Sequence, residues 1–515
     1  MTGAEPLRMR IRLLAGALLL ALPALPAVTS AAAAPRECSR TVGGIDVERA
    51  TVLDIQRAMA ARRLTSVALV KAYLARIKAF DHGPGELNAI RALNPHAIAQ
   101  ASALDAERRH GKVRGPLHGI PVLLKDNVGT KDQPTTAGSI ALAGSVPKHD
   151  AEIVARLRAA GAVILGKTNL SEFANWVDLS MPNGYSSLGG QVVNPYTAGD
   201  PSGSSSGSAV AATMAFAAVT IGSETSGSIL SPSDVNSDVG VKPTLGLASG
   251  AGIIPLAPSF DVPGPITRNV TDAAAVLTAI AGPKVPKTGY LPSLKPTALK
   301  GVRLGVPSAD NRPGGARGVV FDRAIADLKK AGAVVVETDL LGATANASLT
   351  ELGLIPNEFK WSLNAYLATE ARPTTGVKTL GDIVAFNAKH PDKVKYGQKL
   401  LQVSDASPGL EPLATASAVP VRTQAQAAID SALLADHLDA IVDLGAGNAN
   451  VGAAAGYPTV IVPAGYVAST PTGLAFTGTA LSEARLLGYG YAYEQVSRRR
   501  VAPTDLDASL VPARC

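Results

Sequence analysis

The spacing of apolar positions divides the chain into short buried strands and amphipathic helices. Between residues 64 and 80 the apolar positions Val67, Leu69, Val70, Tyr73, Leu74 and Ile77 recur at helical spacing, and 95–110 predicts a second helix. The continuous apolar run 120–124 then reads as a strand that ends at Lys125-Asp126-Asn127. Asp150 stands where an N-cap would start a helix to Ala160, Gly161 closes it, and Val163-Ile164-Leu165 supplies the next strand. The same rhythm returns with strands over 302–306 and 334–336, separated by a helix over 319–331, and with strands at 439–442 and 459–462. Strand alternating with helix is the pattern of an α/β sheet. Because strands lie both before residue 170 and beyond residue 430, one large α/β domain is expected rather than separate modules.

Two stretches break the apolar rhythm. Residues 184–207 and 222–237 are rich in Gly, Ser, Asn and Pro, and they flank a small-residue helix expected over 208–218. Polar loops embedded between buried elements predict a pocket, since a linker would not sit there.

Composition narrows the class. The chain has 515 residues, 46% hydrophobic and 17% charged, which supports a large buried core and excludes global disorder. A net charge of +7 is spread out, with no basic run interleaved with aromatics. The cluster Arg498-Arg499-Arg500 reads as a solvated helix end, so no nucleic-acid partner is expected.

The N-terminus predicts export. Arg8, Arg10 and Arg12 precede an apolar run from residue 13 to 28, then Ser30 and four alanines, the layout of a signal peptide over 1–34. Pro23 and Pro26 interrupt the run, which favours cleavage over a stable membrane anchor. Residues 35–515 would be the mature domain, secreted to an extracellular or periplasmic space. Its two cysteines, Cys38 and Cys515, are expected to pair there and tie the termini together. Two cysteines and seven histidines without an HExxH pattern predict no metal, and no cofactor is expected.

Candidate chemistry gathers at three places: Lys125 at a strand end, the serines at 202–208, and the loop at 223–228. Together they offer a nucleophile, a proton bridge and a base, which amide hydrolysis needs where no catalytic histidine or metal acts. A lysine serves as base near neutrality only if burial lowers its ordinary pKa of about 10.4 by several units, and Val122, Leu123 and Leu124 could provide that desolvation.

The segments Gly119-Ile120-Pro121-Val122-Leu123-Leu124-Lys125-Asp126, Pro201-Ser202-Gly203-Ser204-Ser205-Ser206-Gly207-Ser208 and Gly222-Ser223-Glu224-Thr225-Ser226-Gly227-Ser228-Ile229 resemble, in order, the successive motifs of the amidase signature family. The likeness extends through 239–244 and 264–268 and covers about residues 50 to 500. It implies a single domain with a mixed central β-sheet covered by helices on both faces. It also implies a Ser–cis-Ser–Lys triad of Ser228 as nucleophile, Ser204 as proton relay and Lys125 as base. The backbone of Thr225, Ser226, Gly227 and Ser228 would form the oxyanion hole, and Ser205 would support the site through hydrogen bonds. The chain departs from the family pattern at Ser202, Ser206, Ser226 and Gly250, positions that line or support the pocket. Gly189-Gly190-Gln191, Asn194-Pro195-Tyr196 and Glu358-Phe359-Lys360 resemble the peptide amidases, so C-terminal peptide amides are among the expected substrates. The tRNA-dependent amidotransferase subunits share the triad but work inside the cell, and export points away from them.

Two other readings compete. Gly203-Ser204-Ser205-Ser206-Gly207 also fits GxSxG, the elbow of an α/β-hydrolase esterase with Ser205 as nucleophile, although 194–200 makes a poor preceding strand. The second is an inactive exported binding protein of the same fold, which predicts a broken triad where this one is complete.

Overall fold

The computed structural model describes residues 38–82, 86–338 and 353–511, together with Met1. The chain divides after Arg36, and Glu37–Cys515 is the unit described below. Residues 2–34 of the expected signal segment and Cys515 lie outside the described residues.

Eleven strands form the main sheet: β1 Ile90–Leu93, β2 Pro121–Lys125, β3 Val163–Thr168, β4 Val219–Glu224, β5 Val239–Lys242, β6 Val262–Thr267, β7 Arg303–Pro307, β8 Val334–Thr338, β9 Ala440–Leu444, β10 Thr459–Val467 and β11 Thr470–Thr477. Their order is β8-β7-β9-β11-β10-β5-β6-β4-β2-β3-β1. β2 runs parallel to both β3 and β4, and β7 parallel to β8 and β9, while the other pairs are antiparallel. The sheet is therefore mixed, and helices cover both faces, as the resemblance implied.

Every residue of β2, β3 and β4 is buried, as expected of parallel strands with both faces covered. Register then fixes the site. Leu124 pairs with Lys167 on one side and Ile221 on the other, so Lys125 and the segment following Ile221 leave the sheet at the same end.

Several expected elements shift for identifiable reasons. The first long helix splits into Ser66–Arg76 and a wider turn, Ile77–Asp81, where the Asp81 carboxylate accepts the N–H groups of Ala89 and Ile90. Asp150 does not cap the next helix, which runs Glu152–Ala159 from Ala151. The Asp150 carboxylate instead accepts the Lys131 N–H at 3.1 Å and pairs with Arg158 at 3.2 Å. The small-residue helix is Ser206–Thr213, ending five residues early. Buried Arg76 and Arg268 donate to the carbonyls of Ala212, Met214, Ala215, Ala217 and Ala218, so guanidinium groups satisfy carbonyls that a continued helix would have paired, while the Ala215 and Phe216 N–H groups still reach back to Ala212 and Ala211. The polar stretch 222–237 is not one loop: β4 continues to Glu224, and Leu230–Val235 is helical.

A second apolar cluster gathers Phe173, Leu256, Phe260, Phe359, Leu363 and Ile429, from loops near the site and from the helices Leu354–Thr369 and Glu411–Ala435. Arg499 of the basic cluster pairs with Asp327 at 2.6 Å, and Arg500 donates to the Thr213 carbonyl. Among the described residues no helix is long and apolar enough to cross a membrane.

Candidate active site

Lys125 is the last residue of β2 and is fully buried. Its Nζ donates to Ser204 Oγ at 2.8 Å and to the Ser223 carbonyl at 3.1 Å. Burial brings its pKa down to about 7, against the opposing pull of the Asp261 and Glu224 carboxylates. An amine that is half neutral near pH 7 can take a proton from a hydroxyl it already touches.

The serine loop is pinned from below. The peptide bond Gly203–Ser204 is cis. The Ser204 carbonyl accepts the Ser171 N–H at 3.1 Å. A Cβ on Gly203 would come within 2.5 Å of Ser171 Oγ, so this close approach requires glycine. Ser205, fully buried, exchanges two bonds with Ser223: its Oγ donates to the carbonyl at 3.1 Å and accepts the N–H at 3.2 Å. The Ser205 N–H in turn donates to the Ser228 carbonyl at 3.1 Å. Ser205 thus ties together the two loops that carry Ser204 and Ser228. Ser226 donates to Asn450 Oδ1 at 2.6 Å, far along the chain, and Ser206 donates to the nearby Ser202 carbonyl at 2.5 Å.

Ser228 follows a turn at Gly227, whose φ of +77° lies in the left-handed region that favours glycine. Within the trio, the direct side-chain hydrogen bond is the one from Lys125 to Ser204; Ser228 is joined to them through the backbone. Among the described residues no turn or loop carbonyl takes up the N–H groups of Ser226 or Ser228, whereas the Gly227 N–H faces the Glu224 carboxylate.

Three residues that sequence reasoning left unassigned organise this centre. Glu224, buried at the end of β4, accepts the N–H groups of Ile229 and Leu230 at 2.8 and 3.0 Å and so holds the chain just past Ser228. Asp261 accepts Thr225 Oγ1 at 2.5 Å and the N–H groups of Leu256 and Ala257. Asn127 donates to Ser223 Oγ at 2.9 Å. Glu224 and Asn127 stand inside or beside the motif segments and could have been suspected; Asp261 is 33 positions beyond Ser228, and no spacing signals it. Beside these groups opens a cavity of about 310 Å³, bordered by Asn127, Ser223, Thr225, Asp261 and Gly250. Among the described residues no cluster of His, Cys, Asp or Glu could hold a metal ion. Cys38 is buried, and its expected partner lies outside the described residues.

A buried amine set on a serine hydroxyl, with a second serine loop and a cavity adjoining, is the constellation of a hydrolytic enzyme. Known proteins supply the family. The model described as Amidase matches residues 68–400. A probable amidase of Arabidopsis thaliana is 39% identical over 89% of this chain and 92% of its own length. The native peptide amidase of Stenotrophomonas maltophilia superposes with a TM-score of 0.82 at 42% identity, covering 88% of this chain and 98% of that one. One subunit of the glutamyl-tRNA(Gln) amidotransferase of Symbiobacterium thermophilum is 32% identical over 87% of this chain and 97% of its own. The chain belongs to the amidase family, and it is a hydrolase of amides.

Proposed function

We propose that this amidase is exported and hydrolyses carboxylic amides, C-terminal peptide amides among them, to the acid and ammonia through an acyl-enzyme on Ser228. The observation that carries the reading is the 2.8 Å bond from a fully buried Lys125 to Ser204 Oγ. Ser228 Oγ attacks the carbonyl carbon while its proton passes to Ser204, and the Ser204 proton passes to neutral Lys125. N–H groups of Thr225, Ser226 and Ser228 receive the oxyanion, while the Gly227 N–H, expected among them, is turned to the Glu224 carboxylate. As the tetrahedral intermediate collapses, the C–N bond breaks and ammonia leaves with the proton returned through Ser204. Water then cleaves the Ser228 ester by the same relay, releasing the acid and restoring the serine. Ser205 acts by position, as the bond between the two loops.

Likeness to a peptide amidase over most of both chains supports the substrate class. Cleavage after residues 1–34, secretion to an extracellular or periplasmic space and a Cys38–Cys515 disulfide complete the reading, supported by the sequence layout and by the absence of free cysteines among the described residues. The esterase alternative fares worse. Ser205 Oγ is committed to Ser223 on both sides, and residues 192–205 form no strand to feed an elbow.

The test is ammonia release by the chain from Pro35 onward, from peptide, aliphatic and aryl amides, alongside Ser228→Ala. Ammonia from the parent protein and none from the variant is expected. Activity that persists in Ser228→Ala and vanishes in Ser205→Ala would sink the mechanism.

A further inference from the structure

The cavity beside the serine loops carries information about which amide fits. Its volume of about 310 Å³ is at the small end of the roughly 300–1,000 Å³ typical of ligand sites. Leu245, Ile253, Ile254, Leu256 and Val262 supply much of its lining. Among the described lining residues Asp261 is the one charged side chain, and its carboxylate already accepts Thr225 Oγ1, the Leu256 N–H and the Ala257 N–H. A cationic group would have to compete with those three donors, and an anionic group would meet a like charge in an apolar wall. Asn127 differs: its Nδ2 is committed to Ser223, while the buried Oδ1 has no partner among the described residues. Such an acceptor calls for a donor, and an amide substrate brings N–H groups.

Gly250 borders the same cavity. A Cβ built on it meets nothing within 4 Å, and its φ lies outside the left-handed region. Neither backbone conformation nor packing therefore requires glycine at this position. What the missing side chain leaves is room.

We propose that Gly250 is a specificity-determining residue, whose missing side chain leaves this cavity open to a bulky apolar group on the amide substrate. The inference rests on the amide-hydrolysing reading above and adds the shape of the group taken. Gly250 is exposed at the border of the cavity, and a Cβ there meets nothing within 4 Å, so a larger residue stands at the cavity's mouth and narrows it while leaving the fold alone.

The experiment measures ammonia release by the parent protein and by Gly250→Leu from N-acetyl-phenylalanine amide, N-acetyl-leucine amide and N-acetyl-glycine amide, with melting curves of both proteins. The parent is expected to favour the two bulky amides over the glycine amide by about tenfold or more in kcat/KM, the scale of discrimination that apolar pockets reach. In Gly250→Leu that ratio falls by about tenfold, chiefly through KM, with the melting midpoint kept. Equal turnover of all three amides by the parent, or a ratio unchanged in the variant, overturns the inference alone. No ammonia from any of the three with the parent overturns the peptide-amide reading and this inference together.

Discussion

Two fully buried lysines sit on neighbouring strands, and their surroundings separate a candidate base from a structural strut. Lys167 on β3 and Lys125 on β2 both lose water on every side, and desolvation lowers both, to about 8 and about 7. Around Lys167 the chain supplies a counter-charge: Asp126 lies 4.0 Å away, and the ammonium also donates to Thr135 Oγ1 and the Val128 carbonyl. Two hydrogen-bond acceptors and an anion reward the charged form. Around Lys125 the contacts are one hydroxyl and one carbonyl, with Asp261 and Glu224 acting on it as charges from further away. Each lysine touches one hydroxyl and one carbonyl; what separates them is the counter-charge 4.0 Å from Lys167 and, at Lys125, a hydroxyl that belongs to one of two serine loops beside a cavity.

The contrast is broken most severely at the nucleophile. Ser228→Ala should lower ammonia release by about a thousandfold or more, since nucleophile and base act as a unit. Next come the lysines themselves. Lys125→Met should cost a comparable factor in kcat, with the protein still folded, because a neutral buried chain replaces an amine that burial disfavours. Lys167→Met should do the reverse. It should remove about 1–3 kcal/mol of stability, read in denaturant unfolding, by leaving the Thr135 and Val128 acceptors unpaired, while the pH dependence of the remaining activity stays in place. Equal catalytic losses in the two variants would erase the distinction.

Smaller effects sharpen it. Ser205→Ala should cost about 1–3 kcal/mol by stranding the Ser223 N–H, the Ser223 carbonyl keeping its bond from Lys125, and a urea titration together with retained ammonia release would distinguish that from loss of a nucleophile. Asp261→Asn removes a negative charge that favours protonated Lys125. The lysine pKa, and with it the acid limb of the rate profile, should therefore move to lower pH, by less than about one unit; a limb that moves upward would contradict the assignment of charges.

Much of the site was legible because its chemistry is local in sequence. Lys125 ends an apolar run, and the serines crowd two short polar segments on either side of a buried helix. The strands of the sheet were legible for the same reason, since each is a short apolar run between turn residues. What escaped depends on contacts between distant segments. Asp261 meets Thr225 only because β6 pairs antiparallel with β4, Val262 opposite Glu224. The early end of the helix Ser206–Thr213 depends on arginines contributed from residues 76 and 268. Asp150 resembled an N-cap until the folded chain offered it Arg158 and the Lys131 N–H. Propensity sees neighbours in sequence, and each of these choices was made by neighbours in space.

Catalysis by this relay requires Lys125 to be neutral when it works. The direct measurement is kcat/KM for a peptide amide from pH 5 to 9, in the parent protein and in Lys167→Met. A base with a pKa of about 7 predicts activity that falls tenfold per pH unit below neutrality and levels off above it, with the same limb in both proteins. A profile flat through pH 6, or a limb that disappears with Lys167, would contradict the assignment of Lys125 as the base.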